Sequence, residues 1–306
     1  MKHVQFILPK WSLTMPWVQQ IGNAFSAVGC RFSMAAFETD NPDVVVYGWA
    51  NQETIKAINE AARPATRVTF LRRYEFYQGY WRTLDPKKVD CVFFVNEIFR
   101  KAVEQSLPEL KTALFYNGVD LSKWTYKERA HGKNIAMVGN LNERKNIPLA
   151  LQILHKLDDY KLHLFGEIQD PSIFNYIENF VSRTGVSVTW NDRVSSKLLD
   201  AALDSMNYLL CTASSEGNPN NVLEAMAKGI KPVIHAWPGA VEQFSEAWVF
   251  DSIETAVYMM KEPSIYESKK IRIAIEERFN GNKIYKAFVA EVKKLHEQKE
   301  ITCPVS

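Results

Sequence analysis

Two carboxylates, Glu216 and Glu224, lie eight positions apart in one short segment, SSEGNPNNVLEAMAKGIKPVI, at 214 to 234. A carboxylate repels phosphate but accepts hydrogen bonds from vicinal hydroxyls, so such a pair suits a sugar or a ribose. Between them Gly217, Asn218, Pro219, Asn220 and Asn221 have the composition of a turn entering a helix. Backbone N–H groups left free near Asn218, Asn220 and Asn221 can hold a diphosphate. A second stretch, AMVGNLNERKNIPLALQIL at 136 to 154, reads as a strand ending in Gly139, a polar turn beginning at Asn140, the cations Arg144 and Lys145, and a helix. Two cations at this turn can offset the charge that develops on a departing nucleoside diphosphate. Phosphate at the amides and cations, with hydroxyls at the acids, is the arrangement a nucleotide-sugar requires.

Elements that could position these groups alternate along the whole chain. Short runs rich in Val, Ile and Phe, at 4 to 8, 32 to 37, 44 to 49, 67 to 71, 91 to 95 and 112 to 116, read as strands. A second series follows at 134 to 139, 162 to 166, 186 to 190, 208 to 213 and 231 to 236. Helix-length amphipathic segments fall between them, among others at 16 to 28, 52 to 62, 147 to 157, 171 to 184, 196 to 205, 220 to 228 and 253 to 261. That alternation is the pattern of parallel sheets covered by helices, so the class is α/β. With 306 residues the chain suits two domains, each with its own core. The expected division is an N-terminal Rossmann-like domain at 1 to 120, a polar linker at 121 to 133 and a C-terminal domain at 134 to 283. A last helix, at 284 to 306, places Ile284, Phe288, Val289, Val292 and Leu295 on one face and must cross back to pack.

With both site stretches in place, residues 111 to 261 resemble the group-1 glycosyltransferases. That family is marked by a Glu, seven residues, Glu motif, by a G-R-L-x-x-x-K turn and often by NGVD at the linker. Here these read SEGNPNNVLE, GNLNERK and NGVD. The family's Arg falls on Asn140, while Lys145 matches and Arg144 offers a substitute charge. The resemblance implies a GT-B fold, two Rossmann-like domains facing a central cleft, and a retaining transfer without a metal ion. It implies that Glu224 accepts hydrogen bonds from the donor ribose, that Glu216 holds the donor sugar and that Lys145 contacts the diphosphate. Arg193 and Val194, in the loop from Asn191, are implied near the nucleobase. No cofactor is implied beyond the co-substrate, a nucleotide diphosphate sugar linked to UDP or GDP.

The N-terminal half carries the acceptor-side candidates. Lys10 and Trp11 follow the first strand, and LRRYEFYQGYWR (71 to 82) supplies Arg72, Arg73, Tyr74, Glu75, Tyr77, Trp81 and Arg82. Arg, Tyr and Trp together after a strand suit stacking on a sugar or a base. Net charge is only +2, but residues 63 to 88 hold seven basic side chains against Glu75 and Asp85. That excess makes a hydroxylated base of DNA the alternative acceptor. Because no Lys or Arg falls between Lys10 and Arg31 to suit a membrane lipid, a soluble saccharide or small hydroxylated molecule is the expected one, with a sugar-nucleotide epimerase or a silent binder as further readings. Cys30, Cys91, Cys211 and Cys303 show no ligand spacing, and neither they nor the six His residues suggest a metal site. Hydrophobic residues make up 46% without a run long enough to span a membrane, so a soluble, cytoplasmic protein is expected.

Overall fold

The computed structural model describes residues 1 to 302 apart from 10, 11, 13, 14, 40 and 63. The chain divides into two compact units, Met1–Gly118 with Gly281–Ser306, and Val119–Asn280. In the first unit, strands β1 (His3–Ile7), β2 (Arg31–Ala35), β3 (Val44–Tyr47), β4 (Thr66–Leu71), β5 (Cys91–Phe94) and β6 (Thr112–Leu114) form one sheet. Helices α1 (Pro16–Ala27), α2 (Gln52–Glu60), α3 (Arg73–Gln78) and α4 (Glu97–Ser106) connect them. The second unit contains β7 (Asn134–Val138), α5 (Ile147–His155), β8 (Lys161–Phe165), α6 (Pro171–Thr184), β9 (Ser187–Asn191), α7 (Ser196–Leu203) and β10 (Tyr208–Cys211). It continues through α8 (Asn220–Ala227), β11 (Lys231–His235), α9 (Ala240–Phe244), β12 (Val249–Phe250), α10 (Ile253–Lys261) and α11 (Ser268–Arg278). Helix α12 (Gly281–Thr302) completes the first unit.

Both sheets are parallel and six-stranded, but their orders differ. The first runs β2-β1-β3-β4-β5-β6, the second β12-β11-β10-β7-β8-β9. In the second, the chain starts in the middle at β7, lays β8 and β9 to one side, and then returns to place β10 on the other. A reversal of this kind opens a crevice beyond the carboxyl ends of β7 and β10, where doubly wound sheets bind ligands. The expected α/β architecture is present.

Local chemistry explains the elements. Side chains of Asn51, Asn96, Asn146, Asp170, Ser195 and Ser252 cap α2, α4, α5, α6, α7 and α10. The inner strands β3, β5 and β10 are continuous buried apolar runs, as in covered parallel sheets, while the edge strands β2 and β9 are largely exposed. Phe6, Phe70 and Phe93 of the first sheet join Phe25 of α1 and Phe288 of α12 in one core. Phe288, Val289, Val292 and Leu295 of α12 are all buried there, the face that periodicity had singled out. Helix α12 begins at Gly281, three residues before the expected start. Helices α3, α4, α9 and α11 had not been read; α3 and α9 are short and α11 is weakly patterned.

Candidate functional site

The crevice of the second sheet collects the residues that chemistry had singled out. Strand β7 ends at Gly139, whose φ is +123°, a value that side chains disfavour. A Cβ at Gly139 would lie 3.2 Å from Lys145 Cε, and one at neighbouring Gly166 would lie 2.2 Å from the Gly139 carbonyl oxygen. The absent side chains let the two strand ends approach and let the Lys145 ammonium lie beside the turn. Residues Glu143–Lys145 form a single helical turn that places both cations toward the end of β10. Thr212 Oγ1 donates to the Lys145 carbonyl at 2.7 Å and the Ser214 N–H to that of Arg144 at 3.1 Å. These two bonds fasten the turn to the segment that follows β10.

Glu216 lies at the centre of this arrangement. Its Oε1 accepts from Arg144 at 2.5 Å and from Lys145 Nζ at 2.8 Å. Burial works against its charge, but Lys145 and Arg144 outweigh that and hold its carboxyl below the usual carboxylate range. Side-chain exposure is 8% for Lys145 and 27% for Arg144, so Lys145 is the more deeply held cation.

Glu224, inside α8, is half-buried, and its carboxylate has no hydrogen bond or ion pair among the described residues. Burial alone, with no cation to offset it, pushes its carboxyl up to about 7. Helix α8 starts after Pro219 with no side-chain cap, and the N–H groups of Asn220 and Asn221 meet no acceptor among the described residues. Asn221 Nδ2 instead donates to the Val138 carbonyl at 2.7 Å, joining the helix start to the end of β7. Asn140 and Asn220 are exposed.

Several site residues were not anticipated. Gln243, on α9, is buried; its Nε2 donates to the Gly217 carbonyl at 2.7 Å and its Oε1 accepts from Asn218 Nδ2 at 2.8 Å. It therefore holds the loop that carries Glu216, and only its distance along the chain hid it. Trp190, at the end of β9, donates its ring N–H to the Gly166 carbonyl at 2.9 Å while 45% of the residue stays exposed. Arg193 is exposed and Val194 half-buried in the loop just after it. His235 Nδ1 lies 3.2 Å from the Ala213 carbonyl at the end of β11.

The acceptor-side candidates separate. Lys10 and Trp11 lie outside the described residues. Arg72 donates to Asn117 Oδ1 at 2.8 Å and stacks on the Trp17 ring at 4.7 Å, so it is half-buried at the end of β4. The Glu75 carboxylate accepts from the Arg72 N–H at 3.3 Å, and burial raises its carboxyl. Trp81, 3% exposed, donates to the Phe76 carbonyl and carries Arg82 on its face. Glu75 and Trp81 are thus taken up by the fold: the helical repeat of α3 turns Phe76 inward, and Trp81 stacks beside it. Tyr74 and Tyr77 remain more than half exposed, with Arg73 over the Tyr77 ring.

Comparison with known proteins agrees with this geometry. Residues 120 to 250 match the family model described as glycosyl transferases group 1. No curated protein sequence matches the chain. Among solved structures, HepE of Anabaena in complex with UDP and glucose superposes with a TM-score of 0.75 at 12% identity, covering 96% of this chain and 100% of its own. Sucrose-phosphate synthase of Thermosynechococcus elongatus gives 0.76 at 14% identity, with 99% and 100% covered. The lipopolysaccharide outer core galactosyltransferase WaaB, without ligand, gives 0.75 at 15% identity, with 95% and 99% covered.

Proposed function

We propose, from the match of residues 120 to 250 to the group 1 glycosyl transferases, a retaining transfer from a uridine or guanosine diphosphate sugar to a hydroxyl of a soluble acceptor. One observation carries this reading: the Glu216 carboxylate bridges Arg144 and Lys145 at the strand reversal of a Rossmann-like sheet. The carboxylate is the counterion that keeps both cations in place. The donor diphosphate takes over that role, and Glu216, released, accepts hydrogen bonds from the sugar. As the bond to the leaving phosphate breaks, Lys145 and Arg144 stabilise the growing negative charge, so that no metal ion is required. The unpaired Glu224 receives the ribose hydroxyls, and the N–H groups of Asn220 and Asn221 add to the phosphate site. Gly139, Gly217 and Asn218 shape the turn around the donor, and Arg193 and Val194 lie on its base side. A uridine donor is supported by the UDP held in HepE.

A saccharide or small molecule suits the acceptor better than DNA. Of the described cations in residues 63 to 88, Arg67 is buried in an ion pair with Glu38 and Arg72 is half-buried on the Trp17 ring. The two arginines held inside the fold are not available to a phosphate backbone. That WaaB is a galactosyltransferase of an outer core saccharide supports the same choice.

The test is turnover with a panel of nucleotide sugars, followed by release of nucleoside diphosphate and by proton NMR of the product anomer. Release with retention, unchanged by EDTA, is expected. A sugar altered without nucleotide release would make the protein an epimerase, binding without turnover would make it a silent binder, and an inverted anomer would end the retaining mechanism.

A further inference from the structure

The first unit contains a groove outside everything assigned above. Each connection in its sheet includes a helix except that from β2 to β3, residues 36 to 43, which among the described residues has none. The sheet face beside α2 is therefore left open, and a cavity of about 630 Å³ occupies it. Its wall is fixed. The Gln5 amide donates to Thr39 Oγ1 at 2.6 Å and accepts the Thr39 N–H at 2.8 Å, while Glu38 is held by Arg67 at 3.0 Å and by the Tyr47 hydroxyl at 3.3 Å. A loop tied down at two successive residues gives the groove a preformed shape, as binding clefts have.

The lining combines aromatic rings with acids. Phe37, 71% exposed, and Trp49 supply apolar faces, and α2 presents Glu53, Ala57 and Glu60 along one side. Among the described lining residues, Arg67 is matched by Glu38 and Glu60 lies 3.9 Å from Lys56, so Glu53 leaves the groove with a net negative charge. A polyanion is repelled there. Aromatic faces beside carboxylates instead suit a ligand with C–H faces and many hydroxyls. From Glu53 to Ala61 the helix rises about 12 Å, room for more than one hexose ring.

We propose that this groove binds an uncharged oligosaccharide, which makes the acceptor a saccharide chain. The assignment of that chain as acceptor rests on the glycosyltransferase reading; the binding does not.

Calorimetric titration with neutral oligosaccharides of three to six hexoses tests it, on the wild type, on Phe37→Ala and on Glu53→Gln/Glu60→Gln, with UDP and GDP titrated into each. Phe37→Ala should weaken oligosaccharide binding roughly three- to tenfold, the size of one lost aromatic contact. The double glutamine variant should bind more weakly as well, and nucleotide affinity should be equal in all three. No binding of any oligosaccharide to the wild type, or full affinity in a Phe37→Ala protein that still binds nucleotide, would overturn the groove. Duplex DNA binding that weakens in Phe37→Ala would overturn it too. If oligosaccharides bind but neither UDP nor GDP does, the glycosyltransferase reading fails and the groove stands.

Discussion

Glu216 and Glu224 belong to one short segment, yet their surroundings are opposite in sign. Glu216 accepts from two cations and is held well ionised; Glu224 has no partner, and burial pushes its carboxyl up to about 7. A buried ion pair adds little net stability because desolvation offsets the attraction, so the worth of the Glu216 pairing is that it fixes where two cations stand. An unpaired half-buried carboxylate is simply unfavourable until a ligand supplies donors. The first glutamate is therefore prepared for exchange with a competing anion, and the second waits for hydroxyls. If the roles proposed here hold, the two should respond differently to substitution and to pH.

The largest effect should come from removing the waiting acid. Glu224→Ala should lower nucleoside diphosphate affinity by about 2–5 kcal/mol, as losses at desolvated charged hydrogen bonds do. Calorimetry on the folded variant decides, and unchanged affinity would erase the contrast. Lys145→Ala should lower kcat by roughly 10²- to 10³-fold, the loss seen when one preorganised charge stabiliser is removed. Arg144→Ala should lose less, because Arg144 is the more exposed of the pair. Equal and small losses in both would mean that the cations serve only to neutralise Glu216. Glu216→Gln should leave nucleoside diphosphate affinity within a few fold while lowering turnover, since the charge it removes is one the diphosphate replaces. Abolished nucleotide binding with normal turnover would exchange the roles of the two glutamates.

How far the sequence revealed this contrast depends on distance along the chain. The strands were readable because each is an apolar run, and the start of α8 was readable because Pro219 and the asparagines announce it. The two acids were recognisable as a pair by type and spacing. That Glu216 would meet Lys145 and Arg144, 71 and 72 residues away, depended on β7 and β10 lying side by side, which no local pattern states. Gln243 was invisible for the same reason: a single glutamine on a short helix shows nothing of the Gly217 carbonyl it reaches. The aromatic stretch at 71 to 82 misled in another way. Composition suggested a stacking surface, but the turns of α3 and the segment after it decide which rings face out, leaving Tyr74 and Tyr77 exposed and Trp81 buried. The groove beside α2 arises from a helix that is missing after β2, and an absent element leaves no motif.

The smallest effect, and the sharpest probe of the comparison, is the titration of Glu224. Its carboxyl is raised from 4.5 to about 7, so between those values the folded protein binds more protons than the unfolded one. Stability from this group must then fall as pH rises through that window and stay low above it, the reverse of what a paired carboxylate such as Glu216 contributes. Glu224→Gln removes the penalty. The variant should unfold at the same temperature as the wild type near pH 4.5 and at a higher one at pH 8, by on the order of 1–2 kcal/mol, since water reaches this half-open carboxyl and reduces the full cost. Ligand binding should show the complementary trend. Ribose hydroxyls favour the charged carboxylate, so wild-type UDP affinity should rise with pH up to about 7 and then level off. The diphosphate contributes its own titration, which the Glu224→Gln protein shares, and the difference between the two curves isolates the glutamate. A flat difference curve, with equal unfolding temperatures at pH 8, would show that Glu224 is already satisfied in the empty protein and is not the acid that waits for the donor.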